Sequence, residues 1–320
     1  MGTSVRTLIA ARWTSGWTKP PARCSTTRWK PTPCARTSRG SPTASTTWIC
    51  APTTCRSPSD LRFGRSPVPG GRRPLQGCPM VLNVHDMEVT IARRRGGPVR
   101  PVRGVSLSVE AGRTLALVGE SGCGKSMSCL AIAGLLPRRA RISAGSVEFE
   151  GTDLAALPAR EALAIRRRHV ASVFQDATGG LNPVRTIGWQ VAEAVRLRSG
   201  VTQAEAAHEA VRLLGLVGLP DPERRAREFP HQFSGGMNQR AMIALAVAGN
   251  PRLLIADEAT TALDVTLQAQ ILDLISDLRD SLGMAVLFVT HDLGLVAQSA
   301  EDVAVMYAGR VVEAAPVADL

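Results

Sequence analysis

The sequence predicts an α/β fold with a parallel β-sheet at its centre. Short, continuously apolar runs such as residues 114–118 (TLALV) are typical of buried parallel strands, and helix-period segments alternate with them. Residues 81–90 and 105–109 instead alternate apolar and polar side chains, which predicts antiparallel strands. The 320 residues are 44% apolar. Because no apolar run reaches about 18 residues, we expect no membrane-spanning helix.

Residues 1–79 differ in composition from the rest of the chain. They hold thirteen basic residues but one acidic residue, Asp60, so the excess positive charge lies there, as do five of the seven cysteines. Three interpretations stay open: a disordered basic arm, a disulfide-linked module, or translation from a misplaced start upstream of Met80. We favour the third, because Trp, Cys, Arg and Pro without Glu suit a wrong reading frame. The predicted folded domain is residues 80–320.

A glycine-rich loop follows the run at 114–118. The sequence GESGCGKS matches the phosphate-binding pattern G-x-x-x-x-G-K-[ST] and lies between a strand and the helical segment 127–136. Backbone N–H groups of such a loop surround a phosphate, and the helix dipole adds to the attraction. Lys125 would neutralise phosphate charge and Ser126 would bind Mg²⁺. The predicted nucleotide-binding residues are Gly119, Glu120, Ser121, Gly122, Cys123, Gly124, Lys125 and Ser126.

Two further apolar runs end in residues suited to nucleotide hydrolysis. The run 253–256 leads into Asp257, which would hold Mg²⁺ through water, and Glu258, which would orient and polarise the attacking water. The run 285–290 leads into His291. Because strand ends in a doubly wound sheet meet at one crevice, His291 can reach the γ-phosphate and the attacking water.

A second candidate phosphate site lies at the start of another helix. Ser234, Gly235 and Gly236 precede the helical run 238–248, and Ser234 is predicted to cap this helix. A helix N-terminus attracts anions through its free N–H groups and its dipole. Two such sites in one chain suggest that a nucleotide is held between two copies of the domain.

These motifs together resemble the ATP-binding subunit of an ABC transporter, from about Met80 to Leu320. Stretches such as FQDATGGLNPVRTIGWQ and HQFSGGMNQRAMIALA are similar to the dipeptide, oligopeptide and nickel importer branch of that family. In chain order, the motifs resemble Walker A (119–126), the Q-loop glutamine (Gln175), the signature (Ser234, Gly235, Gly236), Walker B with its catalytic glutamate (253–258), the D-loop (262–264) and the H-loop histidine (His291).

The resemblance implies a P-loop NTPase fold with a RecA-like parallel-sheet core. It implies an antiparallel β subdomain at roughly 81–112 and a helical subdomain inserted at roughly 176–232. The helical-period segment 202–214 lies within that insertion.

The resemblance also implies ATP and Mg²⁺ as cofactors and Glu258, His291 and Gln175 as catalytic residues. Ser126, Gln175 and Asp257 would lie at the metal. Glu258 would polarise water, His291 would steady the γ-phosphate, and Gln175 would sense it. In a head-to-tail dimer, each chain would contact the nucleotide bound by the other chain. These contacts would come from Ser234, Gly235, Gly236 and Asp264.

The implied partners are transmembrane permease subunits and a second ATP-binding subunit, identical or paralogous. An extracytoplasmic solute-binding protein would act indirectly, and the chain would lie at the cytoplasmic face of the cell membrane. The implied function is ATP hydrolysis that drives import of peptides or related small solutes, nickel included. The sequence does not decide among these solutes.

The sequence departs from the family pattern in several places. Ala259 stands where proline is usual, and Asn238 replaces a common basic residue beside the signature. The first strand and its following turn offer no aromatic side chain to stack on adenine; Ile91 and the arginines at 93–95 occupy that area, and arginine can also stack. The branch normally continues beyond the equivalent of Leu320 with a C-terminal extension.

One alternative function is that of a soluble ABC ATPase that acts on nucleic acid or ribosomes. Only the basic residues 1–79 favour it, since the remaining residues are close to neutral and carry neither long heptad arms nor a second cassette. We therefore expect no nucleic-acid partner. A degenerate cassette that binds nucleotide without hydrolysis is disfavoured, because Lys125, Asp257, Glu258 and His291 are all present.

Overall fold

The computed structural model describes residues 79–93, 97–174, 177–258 and 265–319. The predicted extension lies outside this part of the chain except for Pro79, and so do Gln175, Ala259 and Asp264. The described residues all belong to one compact unit. Within them, no helix combines the length and the apolar character needed to cross a bilayer.

Ten strands and nine α-helices are found in the described residues. The strands are β1 (Met80–Ile91), β2 (Val99–Glu110), β3 (Thr114–Gly119), β4 (Ala140–Phe149), β5 (Thr152–Asp153), β6 (Val170–Val173), β7 (Leu253–Asp257), β8 (Ala285–Thr290), β9 (Asp302–Tyr307) and β10 (Arg310–Pro316). The helices are α1 (Lys125–Ala133), α2 (Ala159–His169), α3 (Ala177–Gly180), α4 (Ile187–Ser199), α5 (Gln203–Leu216), α6 (Pro222–Arg225), α7 (Gly235–Val247), α8 (Val265–Leu282) and α9 (Leu293–Ser299). Short 3₁₀ turns lie at Pro230–Gln232 and Val317–Asp319.

The antiparallel sheet has the strand order β2-β1-β4-β5. Its first two strands confirm the alternating patterns at 81–90 and 105–109, because both pair antiparallel along their length. The third strand, β4, extends this sheet well past the predicted boundary at residue 112. Sequence reasoning missed β4 because seven consecutive residues from its start are exposed or half-exposed, so it lacks a clear apolar alternation.

The central sheet has the strand order β10-β9-β3-β8-β7-β6. The five strands from β9 to β6 run parallel, and β10 closes one edge antiparallel to β9. Every residue of β3, β7 and β8 is buried. This burial explains their continuous apolar character and confirms the predicted parallel α/β core.

Helices α3 to α6 and the first 3₁₀ turn occupy the chain between β6 and α7. Hydroxyl groups cap the longer helices: Thr186 caps α4, and Thr202 forms a capping box with Glu205 at the start of α5. The buried face of α5 includes Leu213 and Leu214. Helices α4 and α5 pack against each other and against α7.

Helix α1 lies in an apolar core that includes residues of both sheets. Cys129 and Ile132 of this helix are buried in the same cluster as Leu82 of the antiparallel sheet and Leu117 of the central sheet. Burial raises the pKa of the Cys129 thiol well above its ordinary value, so the group stays neutral. The helix that follows the glycine-rich loop is therefore fixed by packing on both sides.

A network of ionic hydrogen bonds joins α8 to the amino ends of β3 and β9. The guanidinium of Arg279 donates to Thr114 Oγ1 (3.0 Å) and to Glu301 Oε1 (2.7 Å). Glu301 Oε2 in turn accepts from the backbone N–H of Thr114 (2.7 Å). Arg279 is 9% exposed, so water has little access to these bonds. If the arginine were replaced, water would therefore substitute poorly for its guanidinium.

We expect Arg279→Ala to lower the free energy of unfolding by about 2 kcal/mol, because it removes a buried side chain and leaves the buried hydroxyl of Thr114 without this donor. Urea denaturation measures this change. The matched control is Arg212→Ala, whose exposed pair with Glu209 on α5 should contribute less than about 1 kcal/mol. Equal losses in the two variants would contradict the structural role of the network.

Candidate functional site

The glycine-rich loop connects the buried strand β3 to helix α1. The side chain of Lys125 is 5% exposed, and its Nζ donates hydrogen bonds to the carbonyl oxygens of Gly119 (2.8 Å) and Glu120 (3.0 Å). Residues 119–126 contain no other Lys or Arg. The loop therefore holds one ammonium group against two of its own backbone carbonyls, and a cation in a glycine-rich turn is suited to a phosphate chain.

Segments that lie far away in the sequence pack on this loop. Gly124 caps α1 with a φ of +112°, and a Cβ at this position would lie 2.6 Å from the carbonyl oxygen of Pro101 on β2. Only glycine fits there. The N–H of Gly309 donates to the carbonyl oxygen of Cys123 (2.9 Å), and the carbonyl oxygen of Gly309 accepts from the N–H of Arg103 (2.8 Å).

Sequence reasoning missed Pro101 and Gly309. The residues AGR at 308–310 lie between two apolar stretches, which signals a turn. Nothing in that signal could show that the turn touches a loop so much earlier in the chain.

Ser126 and Asp257 meet beside this loop. The hydroxyl of Ser126 lies close enough to the carboxylate of Asp257 to lower its pKa. Burial and the charge of Glu258 raise the pKa of Asp257, and the nearby hydroxyl of Ser126 and the charge of Lys125 oppose this rise. The carboxylate oxygen Oδ1 is buried and has no hydrogen-bond partner among the residues that the structure describes. A hydroxyl and a carboxylate with a free buried oxygen are the ligands that a hard divalent cation such as Mg²⁺ takes.

Glu258 and His291 face each other across the ends of neighbouring strands. Glu258 Oε1 lies 3.5 Å from His291 Nδ1. Glu258 has a φ of +49°, a left-handed conformation uncommon outside glycine, and its N–H donates to the carbonyl oxygen of Val289 (3.0 Å). The side chains are 22% and 50% exposed, so both can reach a molecule in solvent. A carboxylate and an imidazole at this distance can hold a water molecule and a phosphate oxygen.

The strand order places these groups at one edge of the central sheet. The loop follows β3, Asp257 ends β7, and His291 follows β8; β8 lies between β3 and β7 and runs parallel to both. The structure therefore brings together Lys125, Ser126, Asp257, Glu258 and His291, as the strand-end argument predicted.

The other predicted nucleotide-binding residues are placed elsewhere or lie outside the described residues. Ser234 Oγ accepts from the N–H of Met237 (3.3 Å), which confirms the predicted cap of α7. A Cβ on Gly236 would lie 2.5 Å from Leu267 Cδ2, so glycine allows α7 to approach α8 closely. Gln175 and Asp264 lie outside the described residues.

Comparisons with known proteins agree on one family. Residues 102–261 match the ABC transporter family. The chain is 50% identical over 242 residues to the probable peptide ABC transporter ATP-binding protein y4tR of Sinorhizobium fredii, covering 75% of this chain and 72% of that protein. It is 46% identical over 241 residues to the oligopeptide transport ATP-binding protein OppD of Bacillus subtilis, covering 75% of this chain and 67% of that protein.

A solved structure gives the same result for the fold. The dimeric post-hydrolysis structure of the ATP-binding cassette MJ0796, bound to ADP and Pi, superposes with a TM-score of 0.65 at 27% sequence identity. The match covers 74% of this chain and 98% of that one. The predicted P-loop NTPase fold is thereby confirmed. On its sequence and its fold, the chain belongs to the ABC transporter family.

Proposed function

We propose that this chain binds and hydrolyses ATP to drive an importer of peptides. The observation that carries the proposal is the meeting of Lys125, the Ser126–Asp257 pair and the Glu258–His291 pair at one sheet edge. The relatives named as peptide and oligopeptide transport proteins support peptides as the solute class. Peptides are therefore the first solute class to test.

Binding begins at the glycine-rich loop. The backbone N–H groups and Lys125 would hold the phosphates of ATP, and the dipole of α1 would add to the attraction. Ser126 and Asp257 would hold Mg²⁺, which fits the free buried oxygen of Asp257. When bound, the ion would neutralise charge on the phosphate oxygens.

Hydrolysis follows from positioning and charge neutralisation. Glu258 would orient a water molecule and accept its proton in part, and His291 would donate a hydrogen bond to the γ-phosphate. Gln175 is proposed to sense the γ-phosphate. Ser234, Gly235, Gly236 and Asp264 would complete the site around a nucleotide bound by a second cassette, a role supported by the dimeric ADP-bound relative.

Transport requires further chains in this proposal. Permease subunits would cross the membrane, this chain would bind them at the cytoplasmic face, and a solute-binding protein would deliver peptide from outside. The experiment is reconstitution of the chain with its permease and binding protein in vesicles. We expect ATP-dependent uptake of short peptides; uptake of nickel but not of peptides would contradict the proposed solute.

We expect Asp257→Asn to raise the Mg²⁺ concentration for half-maximal ATP hydrolysis at least about tenfold, since even groups outside the first ligand shell have effects of this size. The variant keeps the shape of the side chain but removes its charge. A magnesium titration of hydrolysis measures the shift. The matched control is Asp277→Asn on α8, an exposed residue. An unchanged magnesium requirement in Asp257→Asn would exclude Asp257 as a ligand.

A further inference from the structure

A cleft of about 550 Å³ lies just before the helix that Ser234 caps. It is lined by residues of α6 and the chain leading to the 3₁₀ turn: Glu223, Arg224, Arg227, Glu228, Phe229 and Gln232. This volume falls in the range of small-molecule sites. None of the roles described above uses these residues.

The charges in this cleft leave one cation available. Glu228 is held by Arg225 (2.8 Å) and Arg224 (3.2 Å). Arg227 is exposed, and its side chain makes neither an ion pair nor a hydrogen bond with any residue that the structure describes. Its guanidinium can therefore donate to a ligand or lie over a ring.

The cleft also contains an aromatic surface. The Phe229 and His231 rings are nearly parallel, at 13°, with centroids 5.7 Å apart. Gln232 Oε1 accepts from the N–H of Phe229 (2.8 Å), which fixes the backbone of the turn. The N–H of Ile187 donates to the carbonyl oxygen of Glu228 (2.9 Å), so the segment is anchored on α4. A rigid ring beside a free guanidinium suits a flat heteroaromatic group.

The position of the cleft relates it to the nucleotide. Phe229 precedes Ser234 by five residues, so the two cannot be more than about 18 Å apart. A nucleoside triphosphate with its γ-phosphate at Ser234 can span that distance. By contrast, the chain from Met80 to Glu148, which includes the glycine-rich loop and the strand that packs on it, contains no Phe, Tyr or Trp.

We propose that Phe229, with Arg227 beside it, binds the adenine base of the nucleotide held by the glycine-rich loop of a second copy of this chain. The inference rests on the proposed function, because it needs two cassettes that share ATP. Each base would then lie against the partner's cleft, which makes the base site incomplete in one chain alone.

The test uses 8-azido-ATP, which attaches covalently to residues near the base on illumination. The full chain with Glu258→Gln is labelled and its peptides are mapped by mass spectrometry. We expect label in residues 222–234. Label confined to residues 80–112 would overturn the inference while leaving the proposed function intact. Absence of label anywhere would contradict both.

A mixing experiment decides which chain supplies the cleft. An isotopically heavy chain with Lys125→Ala is mixed with a light chain that has an intact loop, both carrying Glu258→Gln. Because the heavy chain binds nucleotide poorly in its own loop, we expect the label at 222–234 on the heavy chain. Label at 222–234 on the light chain alone would overturn the partner contribution.

A triphosphate without a base distinguishes the loss of base stacking from a general loss of folding or dimerisation. Phe229→Leu should raise the ATP concentration for half-maximal dimerisation about tenfold, as loss of one base stack does. It should leave dimerisation by ribose 5-triphosphate unchanged. Arg227→Ala should behave in the same way but more weakly, with Arg138→Ala, another exposed arginine, as its control. Equal shifts with both ligands would overturn the inference.

Discussion

Replacement of Glu258 by glutamine is expected to leave ATP binding intact and to slow hydrolysis by about 100-fold or more, the loss typical of one preorganised group at the reacting atoms. Glutamine keeps the size of the side chain, and its amide can still contact His291. It cannot draw a proton from water, because it lacks the negative charge. Equilibrium binding of a fluorescent nucleotide and release of inorganic phosphate measure the two quantities separately.

The control for this variant is Glu161→Gln, which makes the same change of charge at an exposed glutamate on α2. It should hydrolyse ATP at the wild-type rate. Near-normal hydrolysis by Glu258→Gln would remove Glu258 from its proposed role. Loss of nucleotide binding in Glu258→Gln would also contradict the proposed role, because it would place Glu258 in binding and not in the hydrolytic step.

Replacement of Lys125 by alanine should weaken ATP binding by about 50-fold, since a hydrogen bond to a charged group contributes a free energy of this order. Lys125 is the one cation of the glycine-rich loop, and its burial makes the loss hard for water to replace. Isothermal titration with ATP and with adenosine measures the effect.

Adenosine, which has no phosphates, should bind the wild type and Lys125→Ala with the same affinity. The control variant is Arg138→Ala, which removes an exposed cation outside the loop, beyond the end of α1. If Lys125→Ala bound ATP as tightly as the wild type, the loop would not be the phosphate site.

The elements that could best be predicted from the sequence are those whose signal lies within a few consecutive residues. The strand β8 was predicted with its observed ends at Ala285 and Thr290, because six buried residues in a row leave a continuous apolar run. The cap of α7 was predicted from Ser234, since a hydroxyl before a helix acts through its own backbone. The meeting of Glu258 and His291 followed from the rule that parallel strand ends share one edge.

Strands and contacts that are held by partners distant in the sequence could not be predicted in this way. Strand β4 exposes much of its length and is held by pairing with β1. Strand β9 pairs with β3, from which it is separated by most of the folded chain. The burial of Asp257 Oδ1 could not be predicted from the sequence either, because the burial of one atom depends on packing from several elements. The roles of Gln175 and Asp264 stay predictions.

The contact of Gly309 with the glycine-rich loop has a consequence for biosynthesis. The carbonyl of Cys123 and the N–H of Arg103 gain their partner only when residue 309 has left the ribosome. A nascent chain that already displays the whole GESGCGKS stretch therefore lacks these two hydrogen bonds until residue 309 has been added and released. Premature termination before this glycine would yield a polypeptide that carries the motif without the backbone hydrogen bonds that join it to residue 309.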